Sequence, residues 1–352
     1  MIALLGLVNY SSFVLYVIVP VKISVLVIAY KRKEYIINAV NSILSQTMHR
    51  DSYEIVVIKN FLDAEIDTFL RSQNVNLIFS ERETLGAKCA EGIKLCKSDI
   101  IAFLEDDDEF EPNKLEIVYQ SLYSENTVYY HNEPKIVNSK GVKINDKLFW
   151  NNNRRYILHA NDMKSICYSY SMWTGAFFNL SCIAIKKDIL FKGIDKIDKM
   201  TVAVDNLMFY LALDSGKQLF IDNEILTRYR IHDSNDSILF KSLDSLLIDH
   251  KLSFLARDLN GYETILSLCG NTKIRQMIKC RILSPRIATA LLKSDNKALN
   301  FHTLYNSFLC GLKYLNFQLL GLLLVYMFSY FSRDAGVYLF LLYNSAKGSK
   351  VT

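Results

Sequence analysis

The sequence predicts an α/β fold: a mostly parallel sheet with helices on both faces, followed by a helical, partly hydrophobic C-terminal region. Three observations carry this expectation. Residues 22–110 alternate short β-branched runs with segments of helical apolar spacing. The run at residues 100–104 drives straight into Glu105-Asp106-Asp107-Asp108-Glu109 and soon meets Pro112. Beyond about residue 240 the pattern is almost wholly helical.

Taken in order, Ile23–Ala29 is an apolar, β-branched stretch of strand length. Residues 34–46 place Ile36, Ile37, Val40, Ile43 and Leu44 at helical spacing. Residues 54–58 read as a second strand, Ala64–Ser72 as a short helix, and 75–79 as a third strand. Residues 87–96 then read as a helix and 100–104 as a fourth strand. Parallel strands joined by helices need right-handed crossovers, and ligands of such sheets bind beyond the strands' carboxyl ends. The acidic run lies at such an end. Residues 113–172 are more polar and irregular, with Asn151-Asn152-Asn153 among them. Strands and helices return over 181–229, with 207–213 helical.

Of the 352 residues, 51% are hydrophobic and 12% aromatic, which suffices for one large core or two smaller ones. A net charge of +5 is too mild to argue for nucleic acid as a partner, and the sequence carries no zinc finger or RNP-type motif. The cysteines (Cys89, Cys96, Cys167, Cys182, Cys269, Cys280, Cys310) lack the close spacing of a zinc site. They read as buried thiols in a reducing compartment.

The two ends stand apart. Residues 1–21 carry no charge and lack the basic start and cleavage site of a secretory signal. Two readings stand. Either the segment is an anchor, with Lys22, Lys31, Arg32 and Lys33 holding the rest in the cytoplasm, or translation begins near Val21. Residues 314–331 form a second uncharged stretch. Its length is near the lower limit for a membrane span, so three readings stand: a span, helices in the membrane interface, or a buried hairpin. Lys273, Arg275, Lys279, Arg281 and Arg286 precede it and suit an anionic membrane surface.

Consecutive carboxylates at a strand end repel one another unless a cation lies among them. Hard divalent cations such as Mg²⁺ or Mn²⁺ favour such oxygens, usually shared with substrate phosphates. The alternative is a solvated acidic turn.

Five fragments follow one another along the chain. They are Ile23-Ser24-Val25-Leu26-Val27-Ile28-Ala29-Tyr30-Lys31-Arg32 with Ala39-Val40-Asn41-Ser42-Ile43-Leu44-Ser45-Gln46-Thr47; the acids with Pro112-Asn113-Lys114-Leu115; Trp173-Thr174-Gly175; Asp205; and Tyr229-Arg230-Ile231-His232, with Ser237 beyond. In this order they resemble a family 2 glycosyltransferase with the GT-A fold over residues 22–237. The resemblance bounds a catalytic domain (22–237); the composition sets apart an N-terminal extension or anchor (1–21) and a helical, membrane-associated C-terminal region (238–352).

The resemblance also implies roles. Asp107 and His232 would hold a divalent cation (Mg²⁺ or Mn²⁺). Glu105 and Asp106 would face the ribose or support the metal shell, and Asp108 would lie outside it or in solvent. Arg230 would meet phosphate charge, and Tyr30 and Asn60 the nucleobase. Asp205, opening a helix, would be the general base, although a helix N-terminus also favours a carboxylate for its own sake. Lys88 reads as a solvated lysine on a helix face, with a phosphate contact as the alternative. Two positions depart from the family pattern: Ile28 replaces a proline, and Lys59 replaces the Asp that normally reads uracil. The nucleobase therefore stays open.

The expected activity is metal-dependent, inverting transfer of a sugar from a nucleotide-diphosphate donor. The acceptor would be a hydroxyl of a lipid-linked glycan or surface-polysaccharide precursor at the cytoplasmic face of the cell membrane. The alternatives are a polyprenyl-phosphate sugar synthase and an inactive membrane-associated scaffold that binds nucleotide sugars.

Overall fold

Side chains of a strand alternate between the two faces of a sheet, and a strand covered on both faces must be apolar throughout. The first strands obey this rule. A computed structural model describes residues 21–30, 32–145, 155–159, 176–232, 245–293, 295, 299–314, 317–329, 332, 336 and 338–340. The N-terminal extension, Trp173-Thr174-Gly175 and Ser237 lie outside the described residues.

Strands β1 (Ile23–Ala29), β2 (Tyr53–Lys59), β3 (Asn76–Phe79) and β4 (Ile100–Glu105) run parallel in the order β3-β2-β1-β4. Leu26, Ile28, Val56, Ile58, Ile101 and Phe103 face one core, where they meet Cys89, Ala90 and Ile93 of α3 (Leu85–Leu95). Their neighbours Val25, Val27, Ile55, Val57, Ala102 and Leu104 face a second core. That core is closed by α1 (Ile36–Leu44), α2 (Ala64–Ser72) and α4 (Lys114–Leu122). Local signals start the helices. Asp63 accepts from the Ile66 N–H to cap α2, and Thr84 accepts from the Ala87 N–H to cap α3.

The sheet continues through β5 (Glu109–Phe110), β6 (Thr127–Val137), β7 (Lys143–Asn145), β8 (Tyr156–His159), β9 (Ile183–Lys186) and β10 (Gln218–Arg230). The overall order is β3-β2-β1-β4-β9-β6-β10-β5, with β7 on β6 and β8 on β10. The short β9 runs against both β4 and β6, whereas β6 and β10 are parallel. Strands β1 to β4, β6 and β10 thus share one direction, and their carboxyl ends line one edge.

Between β9 and β10 lie α5 (Lys187–Lys192), α6 (Ile194–Asp198) and α7 (Val204–Asp214). Helix α3 approaches the end of α6 closely. A Cβ on Gly86 would lie 2.2 Å from the Ile197 carbonyl oxygen and 2.4 Å from that of Met200, so only glycine fits.

Four helices complete the described chain: α8 (Ser245–Leu268), α9 (Thr272–Leu292), α10 (Phe301–Lys313) and α11 (Phe317–Ser329). Ile274, Met277, Ile278 and Ile282 of α9 join the first core. Leu283, Ile287 and Leu291 pack instead with Leu319, Leu322, Leu323 and Tyr326 of α11. The basic cluster expected on a membrane surface is divided. Arg275 donates to the Cys269 carbonyl at 2.9 Å, at the end of α8, and Arg281 stacks over Phe177. Lys273, Lys279 and Arg286 are exposed.

The described residues bear on two of the readings above. Among the described residues no helix is long and apolar enough to cross a membrane. Helix α11 has 13 described residues, about 20 Å of helix. Cys280 and Cys310 form a disulfide between α9 and α10, not two thiols. Their separation of 30 residues carried no pairing signal, since connectivity cannot be deduced from spacing. Cys89, Cys96, Cys182 and Cys269 are buried thiols.

Candidate active site

The acidic run forms the turn from β4 to β5, closed by the Asp108 N–H donating to the Glu105 carbonyl at 3.2 Å. A solvated turn would leave its carboxylates in water. Asp106, Asp107 and Asp108 are instead 2%, 5% and 1% exposed. Burying several carboxylates side by side demands nearby cations and donors.

The structure supplies them from three segments distant in sequence. From the end of β1, the Tyr30 N–H donates to Asp106 Oδ2 at 3.1 Å. Arg32 bridges two acids: Nη2 lies 2.7 Å from Asp106 Oδ1 and Nη1 2.6 Å from Asp107 Oδ2. From the end of β10, His232 Nε2 lies 2.9 Å from the same Asp107 Oδ2, and the His232 ring stacks on Tyr35. From the loop before β9, Asn179 donates its side-chain N–H to Asp108 Oδ2 at 2.9 Å.

Arg230 takes a place that the sequence did not suggest. Its guanidinium, expected to meet phosphate charge, is 1% exposed. Nε donates to the Asp107 carbonyl at 2.8 Å, Nη1 to the Ser139 carbonyl at 3.0 Å, and the fork also pairs with Glu109. Its backbone N–H donates to Asp108 Oδ1 at 3.0 Å. Arg230 therefore holds the acidic turn from behind. Asp108, expected in an outer or solvated position, is buried between Asn179 and that N–H.

The segment after the acids is pinned by the helix that ends in Ser-Gln-Thr. Ser42 Oγ accepts from the Phe110 N–H at 2.9 Å, and Gln46 Nε2 donates to the Glu111 carbonyl at 2.8 Å. Gln46 Oε1 accepts from the Leu115 N–H at 2.9 Å, and the Thr47 N–H donates to the Pro112 carbonyl at 2.8 Å. Lys114, in the phrase after Pro112, is fully buried and donates to Thr227 Oγ1 at 2.8 Å. Burial pushes its ammonium down to about 7.

Burial and mutual repulsion set the electrostatics. Burial pushes Asp106 up to about 7 against the opposing charge of Arg32, and burial with the charge of Asp107 does the same for Asp108. Glu105 is raised well above the carboxylate range, first by burial and then by Asp107, Asp108 and Asp205.

Asp205 sits in the first turn of α7, preceded by Ala203 in a left-handed conformation (φ 56°). Ala203 faces Gly261 of α8, where an added Cβ would come within 2.9 Å. The Asp205 carboxylate accepts from the backbone N–H groups of Asn206 and Asn179. Asn179 thus touches Asp108 with its side chain and Asp205 with its backbone. Burial pushes Asp205 up to about 6.

Beside the turn, Tyr30 and Asn60 line a cleft of about 300 Å³ with Phe79, Ser80, Glu81, Arg82 and Glu83. Lys88 is buried rather than solvated, with Nζ 4.0 Å from the Tyr30 ring centre and 3.2 Å from the Glu83 carbonyl. Lys59 turns away toward α2 and pairs with Asp67 Oδ1 at 2.7 Å, leaving Asn60, just past the end of β2, at the cleft.

Among the described residues, no group of three or more His, Cys, Asp and Glu is arranged to hold a metal alone. Asp107 Oδ2 and His232 Nε2 nevertheless converge as one oxygen and one nitrogen donor. That set fits Mg²⁺ or Mn²⁺, which keep few protein ligands and complete their shell with phosphate oxygens and water.

Residues 24–189 match the model of "Glycosyl transferase family 2". That segment, a little under half of the chain, is a family 2 glycosyltransferase domain. An uncharacterized glycosyltransferase of Nostoc sp. is 26% identical over 232 residues, 64% of this chain and 69% of that protein. One from Rickettsia bellii is 27% identical over 124 residues, 34% of this chain and only 18% of that protein. Among solved structures, S. aureus TarS 1–349 in complex with UDP-GlcNAc aligns with a TM-score of 0.53 at 14% identity, covering 90% of this chain and 89% of that one. A Pyrobaculum calidifontis mannosyltransferase in complex with GDP-Man and Mn²⁺ aligns with a TM-score of 0.54 at 11% identity, covering 93% and 86%. These likenesses show a shared GT-A-like fold.

In this glycosyltransferase, sequence reasoning missed Arg32, Tyr35 and Asn179 as parts of the acidic site. Arg32 was visible only as one of three consecutive basic residues. Asn179 had no signal beyond its type, since its contacts cross 71 residues to Asp108.

Proposed function

We propose that this glycosyltransferase moves a sugar from a nucleoside-diphosphate donor to an acceptor hydroxyl, with inversion and with a divalent cation. One observation carries the reading. Asp107 and His232, 125 residues apart, meet at 2.9 Å in the acidic turn, which Asn179 links to Asp205. The bound nucleotides of the structural neighbours support a nucleotide-sugar donor.

The acceptor oxygen attacks the anomeric carbon as the bond from that carbon to the diphosphate oxygen breaks, and the acceptor proton passes to Asp205. Charge builds on the departing diphosphate. A cation held by Asp107 and His232 supplies electrostatic stabilisation there. Arg230, Asn179 and the Gln46 clamp keep the turn in place, so little rearrangement accompanies the reaction. Tyr30 and Asn60 receive the nucleobase in the adjoining cleft. Mixing the protein with a panel of nucleotide sugars and Mn²⁺, and measuring released nucleoside diphosphate, tests this. Release from one donor class that chelation abolishes is expected. Binding of nucleotide sugars without turnover for any acceptor supports the inactive scaffold instead.

The acceptor in this reading is lipid-linked, and the C-terminal helices rest on the membrane. Phe301, Tyr305, Phe308, Leu309 and Leu312 are exposed along α10, and Leu324, Met327 and Phe328 along α11. Such a stripe with exposed Lys273 and Lys279 nearby suits an anionic interface. Flotation with anionic vesicles should carry the protein up, and replacing Phe301 and Phe308 by Ser should reduce it. Recovery of the unaltered protein wholly at the bottom counts against membrane docking. The cytoplasmic side is proposed from Lys22 and Lys33 after the uncharged extension. The Cys280–Cys310 disulfide, a bond rare in the cytosol, weighs against that side. Protease accessibility from each side of sealed membranes decides between them.

A further inference from the structure

We propose that Arg32 is a resident cation of the acidic turn, and that a divalent cation enters only by displacing it from Asp107. The inference rests on the metal-dependent reading above and adds a competitor to it. Its basis is the position of one atom. Arg32 Nη1 lies 2.6 Å from Asp107 Oδ2 and 3.3 Å from His232 Nε2, the two donor atoms offered to the metal. Nη1 donates to Asp107 Oδ2 and lies against His232 Nε2, which itself meets that oxygen at 2.9 Å. A metal ion bonded to those same two atoms leaves no place for the guanidinium, and like charges so close repel strongly.

The burial pattern agrees with exchange. Asp106 and Asp107 are almost fully enclosed, whereas the Arg32 side chain is 29% exposed and lies at the mouth of the site. The acids stay and the arginine can swing outward. Its guanidinium has a ready second partner, because a planar fork binds phosphate oxygens bidentately. A nucleoside diphosphate therefore favours metal entry twice, by adding ligands to the metal and by drawing Arg32 away. Linkage makes the effect reciprocal: metal should tighten nucleotide binding by the same factor.

The experiment is Mn²⁺ binding to the full chain, followed by the electron paramagnetic resonance of free Mn²⁺, with and without UDP or GDP. It compares the unaltered protein with Arg32→Met and Arg32→Gln. Both variants should bind Mn²⁺ without nucleotide at least about tenfold tighter, since a charge-assisted pair no longer opposes entry. The enhancement by nucleotide should shrink in both. Unchanged or weaker Mn²⁺ affinity in either variant, with nucleotide-promoted binding retained, overturns the exchange alone. Absence of Mn²⁺ binding in all three proteins, with either nucleotide, overturns the exchange together with the metal-dependent reading.

Discussion

Asp205→Asn is expected to lower kcat by about 10²–10⁴-fold, the usual contribution of a positioned general base. The donor KM should change little, because Asp205 does not line the cleft of Tyr30 and Asn60 proposed for the nucleotide. The substitution preserves shape in the first turn of α7, where Asp205 accepts backbone N–H bonds that an amide oxygen can also accept. Its pKa makes the prediction sharper. Burial raises Asp205 to about 6, so the base is charged and active above that pH. As pH falls through about 6 the carboxylate takes a proton and the rate declines, approaching tenfold per unit. In Asp205→Asn that acidic limb should vanish along with most of the rate. A variant with full activity points instead to a phosphate acceptor, already ionised and in no need of a base, as in a polyprenyl-phosphate sugar synthase.

Asp107→Asn should produce the second large loss. The substitution removes the charge of a carboxylate that faces Arg32 at 2.6 Å and His232 at 2.9 Å. If Asp107 holds the cation that stabilises the departing diphosphate, kcat/KM falls by about 10²–10³-fold, the cost of one such interaction. Mn²⁺ binding in the presence of UDP or GDP should weaken in parallel. The contrast with Arg32 is informative: removing the acid weakens metal binding, and removing the arginine strengthens it. Turnover and Mn²⁺ affinity both unchanged in Asp107→Asn would move the metal elsewhere or remove it from the mechanism.

Much of the sheet was legible because local chemistry and global packing agree there. Ile23–Ala29 and residues 100–104 can be nothing but enclosed strands, and the acids after Leu104 must end one. The phrase Ser-Gln-Thr could be recognised but not understood. Its meaning appears in space, where Ser42, Gln46 and Thr47 grip the segment after the acids. Arg230 shows the opposite failure. Its neighbours in sequence suggested phosphate, but its position at the end of β10 directs the guanidinium beneath the turn. Lys88 fails for a related reason: a lysine on a helical face reads as solvated until a carbonyl and an aromatic ring close over it.

By itself the sequence determined the strand and helix order through β4, the carboxyl-edge location of the acids, and the family. Each follows from periodicity or from residues contiguous along the chain. Only the tertiary structure decided that β9 enters against its neighbours, that Cys280 bonds Cys310, and that Arg32 stands between Asp107 and His232. Those facts depend on which distant segments approach one another. Pairwise contacts across tens to hundreds of residues leave no period and no fixed spacing to read.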